Sequence, residues 1–442
     1  MHASNAELLD ALARGRHGDS LREYFGTPAL EDLATLAAAA KRAKRRAGPR
    51  VLIVPGMMGS RLCDAARRGD AARRGDAARR GDAARRGDAP GAARPRLLWV
   101  DPLRIGAGHL TRLALPSTRS IRPRGVLLFS YARLKLRLAI EGFDARFFAY
   151  DWRLGIDVVG AGLAAAVAAA RQPVILIAHS MGGLVARVAA QRLPRRAVKR
   201  LIMLGAPNRG ALAPLLALRG TYPFVRKLSR LDLMHSPEDL AAEVFSTFPG
   251  LYHLLPPEYA MDFDLLDPRS WPSAGPKPDA QLLGSVVRAR AGMAPPDERM
   301  VQIIGVNRET VVSVRRTPTG FEYGSSRNGD GTVPVAMASL PGLKSYFAEE
   351  SHGNLANNPR LVGAIIDLAR GGSTRTLQRR YVPCETGVRF IDDAALRRAE
   401  GSKIEWRLLD SAEREAVLAD LDGEREEGGA RAPPLGSAQS LA

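Results

Sequence analysis

The sequence predicts an α/β fold: a mostly parallel central sheet with helices on both faces and a helical cap or lid inserted over it. Three observations support this. Short apolar runs, "RVLIV", "ARFFAY", "PVILIA", "KRLIMLG" and "RMVQIIG", recur along the chain and read as buried strands. Helix-forming stretches separate most of them, and alternation of this kind implies parallel strands joined by crossover helices. Residues 211–298 are rich in Leu, Pro and helix signals without a clear strand run, as an inserted cap would be.

Taken in order, residues 1–48 read as an N-terminal helical extension. "ALEDLATLAAAAKRAKRR" has good helix formers, with acids early and bases late to suit the helix dipole. "RVLIVPGMMGS" follows, a strand ending in a Gly-rich turn. Four successive copies of "DAARRG" then run from Asp64 to Gly87. Each copy has one Asp and two Arg, its Gly penalises a helix, and nothing large and apolar is there to bury. The period is too short for a solenoid. Residues 64–91 are therefore expected to form a flexible loop, either a basic membrane tether or an expanded repeat tolerated at the surface. In "RLLWVDPLRIGAGHLTRLAL", Trp99 and its Leu neighbours read either as core or as a lipid-facing lid. "DVVGAGLAAAVAAAR", "MGGLVARVAAQRL" and "PRLVGAIIDLAR" are expected helices. Residues 376–422 form a small C-terminal extension, with a strand at "TGVRFIDD" and a capped helix at "DSAEREAVLADL". Residues 423–442, rich in Gly, Ala, Pro and Glu, are expected to be disordered.

The 442 residues suffice for one large domain with insertions or for two ordinary ones. Hydrophobic residues at 45% and charged residues at 25% are the proportions of a soluble globular protein. The net charge of +19 comes mostly from Arg, since only eight of the 65 basic residues are Lys. This balance fits peripheral contact with an anionic membrane, and equally a GC-rich coding sequence with a soluble surface. No zinc-finger spacing or aromatic RNA-binding signature appears, so no specific nucleic-acid partner is expected. Cys63 and Cys384 match no metal or redox spacing, and whether they pair is left open. The N-terminus carries acids and lacks an apolar core segment, so it is not expected to be a signal peptide, and no run of about 18 uncharged apolar residues is present. A cytoplasmic or peripheral-membrane location is expected.

The chemistry starts at "IAHSMGG", Ile177 to Gly183. Strand, then A-x-S-x-G, then helix is the setting of a nucleophile elbow, with small residues around a tight turn and Gly182 letting the helix start against the strand. Ser180 is the candidate nucleophile. In the α/β-hydrolase order an acid and then a histidine follow the serine. Of seven histidines only His352, in the polar loop "SHGNL", lies in the last hundred residues. His179, adjacent to Ser180, reads as a packing residue. Asp330, in "NGDGTVP", is by itself as well a solvated hairpin turn as a catalytic acid. His352, 22 residues on, favours the acid. The oxyanion hole needs two backbone N–H groups. Met181 supplies one, and the turn of "VLIVPGMMGS" the other, with Met57 the first choice and Met58 the second. Met58 and Trp99 are candidate substrate-binding residues, since flexible thioethers suit an acyl pocket. No metal and no organic cofactor is implied.

Six pieces, "VPGMMGSRL", "YDWR", "AHSMGG", "GAPNRG", "GDGTVP" and "SHGNL", occur in one order over roughly residues 51–370. Together they resemble the lecithin:cholesterol acyltransferase family, with its related phospholipases and phospholipid:diacylglycerol acyltransferases. The resemblance implies an α/β-hydrolase domain over residues 49–375 and a triad of Ser180, Asp330 and His352. It also implies oxyanion donors at Met57 and Met181, and transfer of an acyl group from a lipid ester to an alcohol or water. A pure phospholipase or lipase, and an inactive basic binding protein, are the alternatives. "YDWR" reads as ending a strand and bracing the site floor through an Asp–Arg pair. Where the family carries its lipid-binding insertion, this chain carries the Arg-rich repeat. The oligomeric state is not legible.

Overall fold

A computed structural model describes residues 3–16, 18–43, 48–64, 96–117, 120–257, 262–383, 387–398, 402–410, 412–414 and 416–417. Most of the repeat loop, Cys384, the 423–442 tail and most of the expected 410–421 helix lie outside these residues. The N-terminal segment contains α1 (Asn5–Ala13), α2 (Asp19–Phe25) and α3 (Thr27–Arg42). A capping box between Ser4 and Glu7 starts α1. On α3, Leu30, Leu33 and Ala37 form the buried stripe.

The central sheet has six strands in the order β11-β8-β7-β6-β1-β5, and every neighbouring pair is parallel. They are β1 (Arg50–Val54), β5 (Asp144–Phe147), β6 (Val174–His179), β7 (Val198–Leu204), β8 (Met300–Gly305) and β11 (Lys344–Ala348). All six residues of β6 are buried, as are all six of β8, because helices cover both faces. Side chains alternate across the sheet. Leu52, Val54, Leu176, Ala178 and Met203 join the apolar cluster on one face. Val51, Ile53, Ile175, Ile177, Ile202 and Leu204 join the other. The first face is covered by α6 (Ile156–Ala169) and α7 (Met181–Gln191), and the second by α5 (Leu128–Ile140) and α14 (Pro359–Gly371), with α1 to α3 alongside. This is an α/β-hydrolase fold.

Between β7 and β8 the described residues hold α8 (Ala213–Leu218), α9 (Pro223–Leu231), α10 (Pro237–Glu243), α11 (Pro249–Tyr252) and α12 (Ala280–Ala291), and no strand among them. Two small antiparallel sheets flank the core. One joins β3 (Arg96–Trp99), β2 (Ser60–Asp64) and β4 (Ile121–Val126), with α4 (Pro102–Gly106) following β3. The other joins β12 (Arg389–Asp392), β10 (Phe321–Ser326) and β9 (Thr310–Arg316). Helices α13 (Val335–Ala338) and α15 (Asp393–Arg398) complete the set. "TGVRFIDD" therefore does contain a strand, and it pairs with β10 rather than standing apart. Asp393 beside it accepts from the wholly buried Arg219 at 2.8 Å and from the Tyr323 hydroxyl at 2.5 Å, tying α15 to the end of α8. Cys63 is a buried free thiol in β2, and burial raises its pKa. Among the described residues no helix is long and apolar enough to cross a membrane.

Candidate active site

The carboxyl ends of parallel strands open onto one edge of a sheet, where α/β folds bind ligands. Here that edge collects the turn after β1, Ser180 after β6, Gly205 after β7 and His352 after β11. Ser180 joins β6 to α7 at φ 53°, ψ −128°, a conformation unusual for a residue with a side chain and found where the surroundings enforce it. Its N–H donates to Leu204 O at 2.8 Å, and its carbonyl accepts from Gly183 at 2.8 Å. Gly182 fits because a Cβ there would lie 2.5 Å from Pro55 O and 2.6 Å from Val54 O.

Ser180 Oγ lies 2.8 Å from His352 Nε2, and His352 Nδ1 lies 2.8 Å from Asp330 Oδ2. A carboxylate accepts, so Nδ1 carries the imidazole hydrogen and Nε2 is left bare to receive the serine proton. Asp330 is 1% exposed, yet its carboxylate is fully partnered. Oδ1 accepts from the N–H groups of Thr332 and Val333 at 3.0 and 2.7 Å. The backbone joins in, with His352 N–H donating to Asp330 O at 2.8 Å. The solvated hairpin reading of "NGDGTVP" is thus excluded, since this carboxylate is buried against an imidazole.

Met57 and Met58 occupy the middle of a tight turn closed by Gly59 N–H to Gly56 O at 3.1 Å, with Met58 left-handed at φ 61°. Both line a cavity of about 240 Å³ that opens at Ser180 and His352. Met181 starts α7 and is fully buried, its side chain reaching Gly250 and not part of the cavity lining. Trp99 takes the core reading and not that of a lipid-facing lid. It is 2% exposed within the core and also forms part of the cavity wall. Its Nε1 donates to Met58 O at 2.7 Å and so holds the turn.

"YDWR" braces the same turn. Tyr150 Oη donates to Pro55 O at 2.8 Å, and Trp152 Nε1 to Ser60 O at 3.0 Å. Arg153 grips Asp151 through two bonds of 2.9 and 2.6 Å and donates to Leu113 O at 2.8 Å. The expected Asp–Arg pair is present, but β5 stops at Phe147, three residues before the motif. Tyr150 and Trp152 turn instead toward residues 55–60.

Several site residues were not anticipated. Tyr131 of α5, Tyr222 capping α9 and Phe224 within α9 line the cavity, and no motif surrounds them. Burial raises the Tyr222 phenol. His179, expected only to pack, makes two hydrogen bonds, to Tyr131 and to the His352 carbonyl. Gly205 sits at φ +55°, where a Cβ would lie 2.9 Å from Asp330 Oδ2 and 3.0 Å from His352 Nδ1. Asn208 of "GAPNRG" is buried between Arg187 and Arg290, both lowered to about 10 by burial. Among the described residues no group of His, Cys, Asp or Glu is arranged to hold a metal ion.

Fold and site geometry define an α/β-hydrolase-type chain. Residues 162–228, spanning most of α6 through α9, match the PGAP1-like alpha/beta domain. Among curated proteins none matches the chain. Among solved structures, the mature lipase BlEst2 of Bacillus licheniformis is similar at 15% identity, over 69% of this chain and 85% of that one, with a TM-score of 0.31. The Tle4–Tli4 complex is similar at 14% identity, over 72% and 97%, with a TM-score of 0.41. The fold itself stands on the strand order and register described above.

Proposed function

We propose that the protein is a serine-dependent lipid acyltransferase or esterase of the lecithin:cholesterol acyltransferase type. One observation carries this reading: the unbroken Asp330–His352–Ser180 hydrogen-bond line at the mouth of an apolar cavity. His352 Nε2 takes the Ser180 proton as Oγ attacks the ester carbonyl. The oxyanion forms against the backbone N–H groups of Met57 and Met181. Asp330 stabilises the imidazolium, which returns its proton to the departing alcohol and leaves an acyl group on Ser180. Water or an acceptor alcohol then attacks that ester with His352 as base, and Ser180 regains its proton. The acyl chain lies along Met57, Met58, Trp99 and Leu254, under a cap to which the described residues of 211–257 and 262–298 belong.

The test is labelling by a fluorophosphonate probe, expected in the wild type and lost in Ser180→Ala. An unlabelled, folded wild-type protein would turn the reading to an inactive fold that binds rather than reacts. Labelled phospholipid offered with diacylglycerol or a sterol then separates the two chemistries. Acylated acceptor supports transfer, and free fatty acid alone makes the protein a lipase or phospholipase. The charge of +19 supports a role at anionic lipid surfaces, expected as vesicle binding that weakens with salt.

A further inference from the structure

One buried titratable side chain adjoins the site without a part in the proposed chemistry. His179 ends β6 and is 6% exposed. Its Nε2 lies 2.8 Å from the carbonyl oxygen of His352. A carbonyl only accepts, so Nε2 carries the hydrogen. The neutral ring then has a bare Nδ1, which lies 2.8 Å from the Tyr131 hydroxyl, so Tyr131 donates to it. The same hydroxyl accepts from the backbone N–H of Gly56 at 3.0 Å. The directions leave no alternative: Gly56 donates to Tyr131, Tyr131 donates to His179, and His179 donates to His352.

This chain joins the turn carrying Met57 to the backbone of the base. His352 sits in an irregular loop, where its two backbone groups are its anchors. Its N–H goes to Asp330 and its carbonyl to His179. Misplacing a reacting group by about 1 Å can cost about 10²-fold in rate. The titratable groups facing the His179 ring are Tyr131 and His352, whose ring centroid is 4.9 Å away. Burial first, and the neighbouring His352 second, push His179 down to about 3. The ring is therefore neutral near pH 7, and its two hydrogen bonds fix the tautomer.

We propose that His179 and Tyr131 are positioning residues that tie the oxyanion-side turn to the backbone of His352, with His179 held as the Nε2–H tautomer. The proposal rests on Ser180 and His352 as nucleophile and base. It is tested with a short soluble p-nitrophenyl ester and the variants His179→Leu, His179→Gln and Tyr131→Phe. Leu abolishes both bonds and leaves the His352 carbonyl unpaired. Its kcat should fall by about 10- to 100-fold with KM within about twofold. The terminal amide of Gln can present an N–H where Nε2–H stood and should restore kcat to within about fivefold of wild type. Tyr131→Phe should lower kcat by about tenfold. A folded Leu variant with wild-type kcat, or a Gln variant no better than Leu, overturns the proposal.

A second measurement needs neither a variant nor turnover. Nitrogen NMR of the wild-type ring should give a bare Nδ1 and a protonated Nε2, unchanged between about pH 5 and 9. An Nδ1–H tautomer, or a titration inside that range, overturns the proposal. A wild-type protein inert toward every ester overturns the enzymatic reading instead. The ring signals then decide the hydrogen-bonded chain by themselves.

Discussion

Replacing Asp330 with Asn changes one atom, and the surrounding hydrogen bonds dictate the outcome. Oδ1 of Asp330 accepts from the N–H groups of Thr332 and Val333 at 3.0 and 2.7 Å. An amide NH₂ in that place would face two donors, so the Asn oxygen must keep it. The NH₂ then occupies the Oδ2 position, 2.8 Å from His352 Nδ1. Nδ1 has to become the acceptor, and the imidazole hydrogen moves to Nε2, which faces Ser180 Oγ at 2.8 Å. In that tautomer His352 cannot take the serine proton. The expected loss in kcat is on the order of 10³- to 10⁴-fold, about 4–5.5 kcal/mol of transition-state stabilisation. KM should hold, because Asp330 lies behind His352 and outside the cavity lining. Stability should move by less than about 1.5 kcal/mol, since both backbone contacts survive. Steady-state kinetics on a soluble ester, with urea unfolding of the same preparation, measure all three quantities. A folded Asp330→Asn protein keeping more than about a tenth of the wild-type kcat would refute this account of the base.

Acid should destabilise the fold through two buried imidazoles. His179 is lowered to about 3 and His253 to about 4, each by burial first, from an ordinary 6.5. Both stay neutral when folded and take up protons when unfolded, so their contribution is full above about pH 6.5 and is lost as pH falls toward 3–4. At pH 5 each accounts for about 2 kcal/mol of lost stability, and a Tm equal at pH 7.5 and pH 5 would contradict this. Asp393→Ala strands the fully buried Arg219 guanidinium and should cost about 3–5 kcal/mol in urea unfolding. A loss below about 1 kcal/mol would mean that water or another group replaces the carboxylate. Gly205→Ala forces a methyl against Asp330 and His352 in a left-handed backbone. Fluorophosphonate labelling should slow by more than about tenfold for a stability loss of about 1–3 kcal/mol, and unchanged labelling would sink the argument.

Much of the central sheet was legible because its strands are buried on both faces. "PVILIA" carries uninterrupted apolar side chains and "RMVQIIG" is interrupted only by Gln302 within its strand, and crossover helices force such strands to be parallel. The two antiparallel sheets were not legible as sheets. Their strands are short and mix Arg, Pro, Gly and Ser with apolar residues, as in "IRPRGV" of β4 and "FEYGSS" of β10. What holds them is pairing across distant sequence, as when β12 adds to β10, and no local period reports that. "ARFFAY" overran its strand for a related reason. Its last residue, Tyr150, serves the 55–60 turn through its hydroxyl and leaves the sheet to do so.

The juxtaposition of Ser180, Asp330 and His352 was legible by order along the chain. The parallel sheet delivers Ser180 after β6 and His352 after β11 to one edge, and Asp330, which follows the antiparallel β10, reaches that edge beside Gly305 at the end of β8. The groups that steady these residues obey no such rule. Tyr131 reaches the site from the first turn of α5, and nothing in "LFSYARLKL" distinguishes it from a core tyrosine. His179 was set aside because it neighbours Ser180 and must point elsewhere. Its ring in fact lines the cavity together with Ser180 and bonds to Tyr131. It also reaches the His352 backbone, 173 residues on. With both ring nitrogens bonded to Tyr131 and His352, the side chain holds the loop that supplies the base. Buried polar side chains beside a nucleophile therefore need their hydrogen-bond partners traced before they are read as packing, because burial without partners would cost more than packing returns.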